Sequence, residues 1–370
     1  MDFRRTARRR LGGGAAGAVL LAVLGLAFAP WAAHASDDPL FDRQWALARI
    51  KAPEAWVLTT GQGVRIGIVD TGVDLTHEDL AGKVVASTNC IGSNGDPGRC
   101  SGSARDDHGH GTHVAGIAAA AKDNGVGIAG VAPGAELVVA KALAADGSGT
   151  TEDINAAIRW VVDNGAQIVN LSLGGSFLQD SLFGTTLREG VLYAWTRGAI
   201  PVLAAGNTNL LGLGIGSSQY GQLPAVVVAA TGPDDRLAGY SSPVGNARWA
   251  LSAPGGAGTG NKDDAVLSTY WRQDQANQYD AFSGTSMAVP HVSGTLALLL
   301  AQGNPAPVAV ARVLGTADRV ACSPGLLGGV CPGRLNAGAA VGAVPPSSAP
   351  PVASGGLLGL GIKLPLGLSL

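Results

Sequence analysis

Three short segments of the sequence each set one reactive side chain among small residues. Residues 69–72 read Val-Asp-Thr-Gly, residues 109–116 read Gly-His-Gly-Thr-His-Val-Ala-Gly, and residues 282–290 read Phe-Ser-Gly-Thr-Ser-Met-Ala-Val-Pro. The second and third segments stand where an apolar helical run begins, so the helix dipole and the free amides of a first helical turn are available to chemistry. A carboxylate, an imidazole and a hydroxyl are the groups that acyl-transfer enzymes use. The three segments therefore indicate nucleophilic acyl transfer.

The elements that must position these side chains alternate between strand and helix. Continuous apolar runs typical of buried parallel strands occur at residues 64–69, 137–141, 168–173, 200–205 and 225–230. Helical patterns occur at residues 110–121, 151–164, 187–197, 286–302 and 305–316. This alternation predicts an α/β fold with a doubly wound, mostly parallel sheet and helices on both faces. Ligands of such sheets bind at the carboxyl ends of strands, which is where Asp70 and Asn207 fall.

The segments resemble the motifs of the subtilisin family of serine proteases. The likeness extends over residues 40–342 and includes four separated motifs in the family's order, the fourth being Ala-Ala-Gly-Asn at residues 204–207. The resemblance implies a subtilisin-like fold and serine endopeptidase activity that needs no cofactor for catalysis. It implies that Asp70, His110 and Ser286 form a catalytic triad and that Asn207 belongs to an oxyanion hole.

These roles suit the residue types. The Ser286 hydroxyl is a poor nucleophile until a base removes its proton, and the His110 imidazole titrates in the range that such a base requires. A buried Asp70 carboxylate would hold the imidazole in the correct tautomer and stabilise its cation. The Asn207 amide and the Ser286 backbone amide would stabilise the oxyanion. Each residue alone has an ordinary explanation as a turn, cap or left-handed residue, so the prediction depends on their combination.

The same resemblance suggests where a substrate binds. Ser172, Leu173, Gly174 and Gly175 resemble the family segment that pairs with an extended peptide backbone as an added strand. The facing wall at 204–206 includes Ala205 and Gly206, so the pocket for the residue before the cleaved bond is predicted to be small-walled and uncharged. We expect a preference for apolar or aromatic side chains.

Structural calcium is a further expectation from the resemblance. Asp79 and Asn124 resemble positions of one family site, in which oxygen ligands would surround the ion. The alternative is that both are polar residues of exposed loops.

Other function classes remain open alternatives. A catalytically inactive, peptide-binding relative would share the motifs, although no triad residue is missing. A zinc-dependent hydrolase could use His108, His110 and His113 as ligands. A lipase-like enzyme would have its triad in the order Ser, Asp, His, whereas the order in this chain is Asp, His, Ser.

The ends of the chain differ in composition from its centre. Residues 1–35 combine an arginine-rich head, an apolar run and an Ala-x-Ala site, which predicts a signal peptide, by the Sec or the twin-arginine route; a retained membrane anchor is the alternative. Residues 36–343 form the predicted catalytic domain, and residues 344–370 a flexible Pro/Gly/Ser-rich tail with an apolar end that is too short to span a membrane. We expect a secreted monomer that acts on proteins or peptides.

The charge balance argues against nucleic-acid partners. The whole chain has a formal net charge of −2, from 25 basic and 27 acidic residues. Removing residues 1–35 takes away five arginines and one aspartate and leaves a net charge of −6. The exported part therefore has no basic stripe for a phosphate backbone.

The four cysteines fall as two local pairs, Cys90 with Cys100 and Cys322 with Cys331. In an exported chain this spacing predicts two disulfides, each closing a short loop. Three pairings are formally possible, and free thiols are the alternative. Neither pair has the spacing of a zinc site.

Overall fold

The structure is a computed structural model that describes residues 36–173, 187–207, 221, 223–320 and 331–343. The predicted signal peptide, the predicted tail, Gly174, Gly175 and Cys322 lie outside the described residues.

A parallel seven-stranded sheet forms the centre of the fold. Its strands are β1 (Arg65–Asp70), β2 (Val84–Asn89), β3 (Glu136–Lys141), β4 (Ile168–Leu171), β5 (Ile200–Ala204), β6 (Val226–Thr231) and β7 (Trp249–Pro254). The strand order is β2-β3-β1-β4-β5-β6-β7 and every pairing is parallel. The central strands are buried on both faces, which is why they consist of continuous apolar runs. The predicted fold class is confirmed.

Helices cover both faces of the sheet. They are α1 (Trp45–Arg49), α2 (Ala52–Trp56), α3 (His110–Ala119), α4 (Thr151–Asp163), α5 (Arg188–Thr196), α6 (Thr285–Ala301), α7 (Ala306–Gly315) and α8 (Ala337–Val341). Side chains alternate along β1, so that Ile66 and Ile68 join the core of α3 and α6 while Val69 joins the core of α4 and α5. Two separate apolar cores result, one on each face.

The structure adds strands that the sequence analysis missed. The first four residues of β2 alternate between half-buried and exposed. The strand β7 begins half-buried and contains Ser252 and Pro254, so neither strand reads as a continuous apolar run. An antiparallel hairpin of β8 (Val266–Arg272) and β9 (Gln275–Phe282) packs against α3. Most residues of β9 are polar and partly exposed, which gives the segment no apolar signature.

The topology creates one crevice at the carboxyl edge of the sheet. After β1 the chain builds β2 and β3 on one side, and then crosses to build β4 to β7 on the other. The strand order therefore reverses between β1 and β4, and a ligand of an open α/β sheet binds at such a switch point. Asp70 ends β1 at this point, and Ser172 directly follows β4.

The cysteine and membrane predictions can be compared with the described residues. Cys90 and Cys100 form a disulfide, as predicted. Cys331 is also disulfide-bonded. Among the described helices, none combines the length and the apolar character needed to cross a bilayer.

Candidate active site

Asp70 and His110 form a hydrogen-bonded pair at the carboxyl end of β1. The Nδ1 atom of His110 lies 2.7 Å from Oδ1 of Asp70, which also accepts a hydrogen bond from Thr71 N at 2.7 Å. The Asp70 carboxylate is fully buried, and 24% of the His110 side chain is exposed. A buried carboxylate on Nδ1 fixes the tautomer that leaves Nε2 free to accept a proton.

Two glycines allow α3 to begin against β1. Gly109 precedes the helix with a φ of 99°, a left-handed conformation that favours glycine. A Cβ atom on Gly111 would lie 2.0 Å from the carbonyl oxygen of Gly72 and 3.1 Å from Cβ of Asp70. A larger residue at position 111 would push α3 away from Asp70, and a Cβ atom on Gly109 would lie 2.3 Å from the Tyr270 ring.

The electrostatics around His110 favour its cation. Burial of the ring lowers the pKa of His110, but the charge and hydrogen bond of Asp70, together with the charge of Asp106, outweigh burial, so that the pKa of His110 is raised. For His113, one turn further along α3, burial and the nearby His110 lower the pKa to about 3. The site therefore holds one imidazole that readily accepts a proton and one that stays neutral.

Ser286 lies in the first turn of α6, and its carbonyl oxygen is bonded outside the helix. Four residues later Pro290 has no N–H to donate, which leaves Ser286 O without its helical partner. The Ser172 hydroxyl takes that place, donating to Ser286 O at 2.8 Å. Behind it, Asn170 Nδ2 donates to Ser172 Oγ and Ser293 Oγ donates to Asn170 Oδ1, both at 2.9 Å. This buried chain fastens the start of α6 to the end of β4.

Asn207 follows β5 and is fixed by the residue next to Ser286. Its Oδ1 accepts hydrogen bonds from the backbone N and the hydroxyl of Thr285, each at 2.9 Å. The amide nitrogen of Asn207 therefore faces away from Thr285, and within the described chain neither this nitrogen nor Ser286 N donates to a protein acceptor. A Cβ atom on Gly284 would lie 3.5 Å from Asn207 Nδ2 and 3.8 Å from Ser286 N, so the two donors border one space that glycine leaves open. That arrangement suits an oxyanion.

The sheet brings Ser286 near the Asp70–His110 pair. The register aligns Ile68 of β1 with Asn170 of β4, and continuing it by two residues sets Asp70 level with Ser172, on strands about 4.8 Å apart. Ser172 in turn contacts Ser286. Within the described residues no hydrogen bond joins Ser286 Oγ to the His110 ring. Catalytic hydrogen bonds are often long in an enzyme without substrate.

The three histidines considered as zinc ligands do not converge. The Nδ1 atom of His110 is taken by Asp70, and Nε2 of His113 lies 3.0 Å from the carbonyl oxygen of Asp280. His108 is exposed, with its ring centroid 6.3 Å from that of His110. In the part of the chain that the structure describes, the group of potential ligands close enough to share a metal is Asp37, Asp38 and Asp123.

The residues of the expected calcium site do lie together. Oδ1 of Asp79 accepts from Asn124 Nδ2 at 2.9 Å, while its Oδ2 accepts from Ile128 N at 2.8 Å and Tyr279 OH at 2.9 Å. Oδ1 of Asp38, a second buried carboxylate, accepts from Asn124 N at 3.1 Å. Across the described ranges neither carboxylate forms an ion pair with Lys or Arg. Burial is the main reason that the pKa of Asp79 is raised.

This donor set fits a hard cation. Among the described residues these two buried carboxylates have no Lys or Arg partner, and the charge of His77 offsets the burial of Asp79 only in part. A divalent cation would compensate them. Rotation of the Asn124 amide exchanges its nitrogen and oxygen, and would turn an oxygen ligand towards Asp79.

The predicted substrate segment is described in part. Ser172, Leu173, Ala205 and Gly206 are buried at the carboxyl edge of β4 and β5. Gly206 N donates to Thr285 Oγ1 at 3.2 Å, which joins this wall to the start of α6. The buried positions carry no charged side chain.

Several residues that shape the site were missed from the sequence. Asp106 is buried and accepts hydrogen bonds from both sides of His110, and Lys141 Nζ contacts Thr71 O, Asp107 Oδ1 and Leu143 O, each at 2.7 Å. Asp106 and Asp107 stand in a polar loop that resembles any exposed loop in sequence. Lys141 could have been identified, because it ends a predicted buried strand and a buried lysine needs hydrogen-bond acceptors close by.

Comparisons with known proteins agree with this geometry. The sequence model of the subtilase family matches residues 61–317. The chain is 37% identical over 288 residues to thermitase of Thermoactinomyces vulgaris, covering 78% of this chain and 93% of thermitase. It is 38% identical over 264 residues to subtilisin Savinase of Lederbergia lenta, covering 70% of this chain and 85% of Savinase.

Solved structures give the same result. A protease of Pseudoalteromonas arctica PAMC 21717 superimposes with a TM-score of 0.69 at 28% identity, covering 83% of this chain and 98% of that protease. The family match extends over more than half of the chain and includes the Asp70–His110 pair. The chain therefore belongs to the subtilase family and is a serine-type endopeptidase.

Proposed function

We propose that the protein is a secreted endopeptidase that cleaves peptide bonds through an acyl-enzyme intermediate, with Asp70, His110 and Ser286 as its triad. The observation that carries this proposal is the 2.7 Å hydrogen bond between His110 Nδ1 and the buried Asp70 carboxylate, at the strand-order reversal where Ser286 is anchored. Secretion is inferred from the composition of residues 1–35.

In the first half of the reaction, Ser286 Oγ attacks the carbonyl carbon of the substrate while His110 Nε2 takes the hydroxyl proton. The carbonyl π electrons move to the oxygen, and Asn207 Nδ2 and Ser286 N donate hydrogen bonds to the resulting oxyanion. When the C–N bond breaks, the amine leaves with the proton from His110. Asp70 keeps its negative charge throughout and stabilises the imidazolium.

In the second half, water replaces the amine. His110 removes a proton from water as its oxygen attacks the ester carbonyl, and returns that proton to Ser286 Oγ as the acyl C–O bond breaks. The products are a carboxylic acid and the free enzyme.

The substrate is an extended peptide. Its backbone pairs with the segment 172–175 as an added strand, a proposal supported by Ser172 and Leu173, which directly follow β4 at the crevice. The buried positions of the adjoining wall are small and uncharged, which suits an apolar or aromatic side chain before the cleaved bond.

A structural calcium ion belongs to the same proposal. Asp79 and Asn124, with Asp38, would hold it, and the ion would compensate the buried carboxylates without taking part in the reaction.

Replacement of the nucleophile tests the triad. We expect Ser286→Ala to lower kcat on casein by about 10⁶-fold, a magnitude known from another member of the family, with no change in the urea unfolding curve. Ser283→Ala is the matched control, because Ser283 is an exposed serine just before the helix that carries Ser286. A serine-directed phosphonate should add its mass to the peptide containing Ser286, and the cuts in casein should follow apolar or aromatic residues. Near-native turnover of Ser286→Ala would contradict the proposal.

A further inference from the structure

Asp106 is a buried carboxylate close to His110 that the reaction itself does not use. Its side chain is 1% exposed. Oδ1 accepts hydrogen bonds from Thr71 Oγ1 at 2.9 Å, His108 N at 3.0 Å and Gly109 N at 2.9 Å. Oδ2 accepts from the backbone N of Thr112 at 2.9 Å and from its hydroxyl at 2.5 Å. Every one of these partners donates, which suits a carboxylate and suits a carboxamide poorly.

These hydrogen bonds join the two segments that carry the Asp–His pair. Thr71 directly follows Asp70, and Thr71 N donates to the same Asp70 oxygen that contacts His110. The Thr71 hydroxyl donates to Asp106 and accepts from Gly111 N at 2.9 Å. Since Gly109 N donates to Asp106 directly, the residues on both sides of His110 are tied to one carboxylate.

Asp106 also replaces the missing cap of α3. The residue before the helix is Gly109, which has no side chain to accept from the first-turn amides. The Asp106 carboxylate accepts from Thr112 N instead, and its negative charge lies at the positive end of the helix dipole. The position of the Asp106 carboxylate is therefore fixed by α3, the helix that carries His110.

Asp106 also acts on His110 through its negative charge. After burial and the two effects of Asp70, the charge of Asp106 is a further cause that raises the pKa of His110. Because Asp106 is buried, solvent screens this charge poorly.

We propose that Asp106 is a positioning residue for catalysis: it holds His110 in register with Asp70 and supplies a second negative charge that stabilises the imidazolium. This inference rests on the proposed triad. Asp106 touches neither substrate nor reacting atoms and acts through His110 alone.

Other titratable groups face the same helix and must stay constant in any test. They are Asp70 on β1, Asp107 and His108 in the preceding loop, His113 on α3, Lys141 on β3, Asp79 within the helical turn Glu78–Leu80, Tyr270 and Asp280 on the hairpin, and His291 on α6.

The main experiment measures kcat and KM of Asp106→Asn from acid to neutral pH. Loss of register should lower kcat by about 10²-fold, with KM nearly unchanged. His110 must be neutral to act as a base, so activity rises as pH rises through its pKa; with Asp106 neutralised, this acid limb should move to lower pH. Asp146→Asn, which removes an exposed carboxylate from a nearby loop, is the matched control and should leave the profile in place.

Two milder substitutions at Thr71 test the proposal if Asp106→Asn fails to fold. Thr71→Val removes the hydroxyl between Asp106 and Gly111 N, whereas Thr71→Ser retains it. We expect a lower kcat in Thr71→Val and rescue in Thr71→Ser. Equal activity in the two variants, or an acid limb that does not move in a folded Asp106→Asn protein, would overturn the proposal.

An NMR titration of His110 separates this inference from the proposed function. In a Ser286→Ala background, the His110 ring can be titrated with and without Asp106→Asn, and its pKa should be lower without the carboxylate. Active Ser286→Ala protein would refute the triad and leave this titration interpretable. Inactive Ser286→Ala protein with an unchanged His110 titration would refute only the role of Asp106.

Discussion

His110 and Asp79 both have a raised pKa, and the two shifts have opposite meanings. At His110, neighbouring carboxylates stabilise the charged form of the imidazole more than burial destabilises it. At Asp79, burial destabilises the charged form of the carboxyl itself. The partners of His110 outweigh its burial, whereas the hydrogen bonds and the His77 charge at Asp79 do not outweigh the burial of that carboxyl.

The contacts explain the difference. Asp70 meets an imidazole that can become a cation, so the pair can share a charge during a reaction. Asp79 accepts hydrogen bonds from an amide, a backbone N–H and a phenol, which are neutral dipoles, and the charge of His77 is a smaller influence than burial. Asp38, a second carboxylate, contacts the same Asn124. The first region has its titratable partner in the folded chain, whereas for the second we propose that a bound cation supplies the missing stabilisation.

Among the changes that test this comparison, the largest expected effect comes from Asp70→Asn. The amide preserves the shape but cannot stabilise the His110 imidazolium, so we expect kcat to fall by about 10⁴-fold. Steady-state kinetics on a peptide substrate measures this effect, and Asp146→Asn again controls for the loss of an exposed carboxylate. A fall in kcat of less than about 10-fold would show that Asp70 does not stabilise the His110 imidazolium during the reaction.

The second largest effect is a change in Tm when the calcium ion proposed at Asp38, Asp79 and Asn124 is removed. Excess chelator should lower Tm, because calcium at about 100 times its Kd contributes about 2.7 kcal/mol to the unfolding free energy. Asp79→Asn should lose most of this sensitivity, whereas Asp263→Asn, an exposed control, should keep it. A Tm that chelator leaves unchanged in the wild type would show that neutral donors alone stabilise the two carboxylates.

The smallest effect is the pH dependence of stability in chelator. A carboxyl whose pKa is raised above its ordinary value of 3.8 binds a proton more tightly in the folded chain. Its contribution to stability is therefore full below pH 3.8 and is lost as pH rises through the raised pKa.

Urea unfolding of wild type and Asp79→Asn at several pH values measures this dependence. The wild type should lose stability relative to the variant as pH rises through that window, and calcium should suppress the difference. A difference that grows as pH falls would mean that Asp79 is held in its charged form.

The sequence predicted the parts of the molecule that depend on local signals. Strands such as β4 and β5 are apolar runs, and the triad candidates stand in short motifs of small residues, so both could be identified without a structure. The strand β9 of the hairpin has no apolar signature because most of its residues are polar and partly exposed. Asp106 could not be assigned because its partners, Thr71 and Thr112, come together only when α3 packs on β1.

The contact between Ser172 and Ser286 also could not be predicted from the local sequence. The resemblance predicted Ser172 as part of a substrate-binding segment, which remains a proposal. Its hydrogen bond to Ser286 O depends on Pro290 in a helix that is distant in sequence. No local pattern at residue 172 could have indicated that contact.

In the proposed binding mode, the hydrogen bond from Ser172 Oγ to Ser286 O couples substrate recognition to reactivity. The segment proposed to pair with a peptide begins with Ser172, and the Ser172 hydroxyl donates to the backbone carbonyl oxygen of Ser286, the proposed nucleophile. A bound peptide that shifts this segment by a fraction of an ångström therefore shifts the Ser286 peptide unit with it. Substitutions chosen to alter selectivity near Ser172 will also change turnover, and a poorly seated substrate will meet a misaligned hydroxyl.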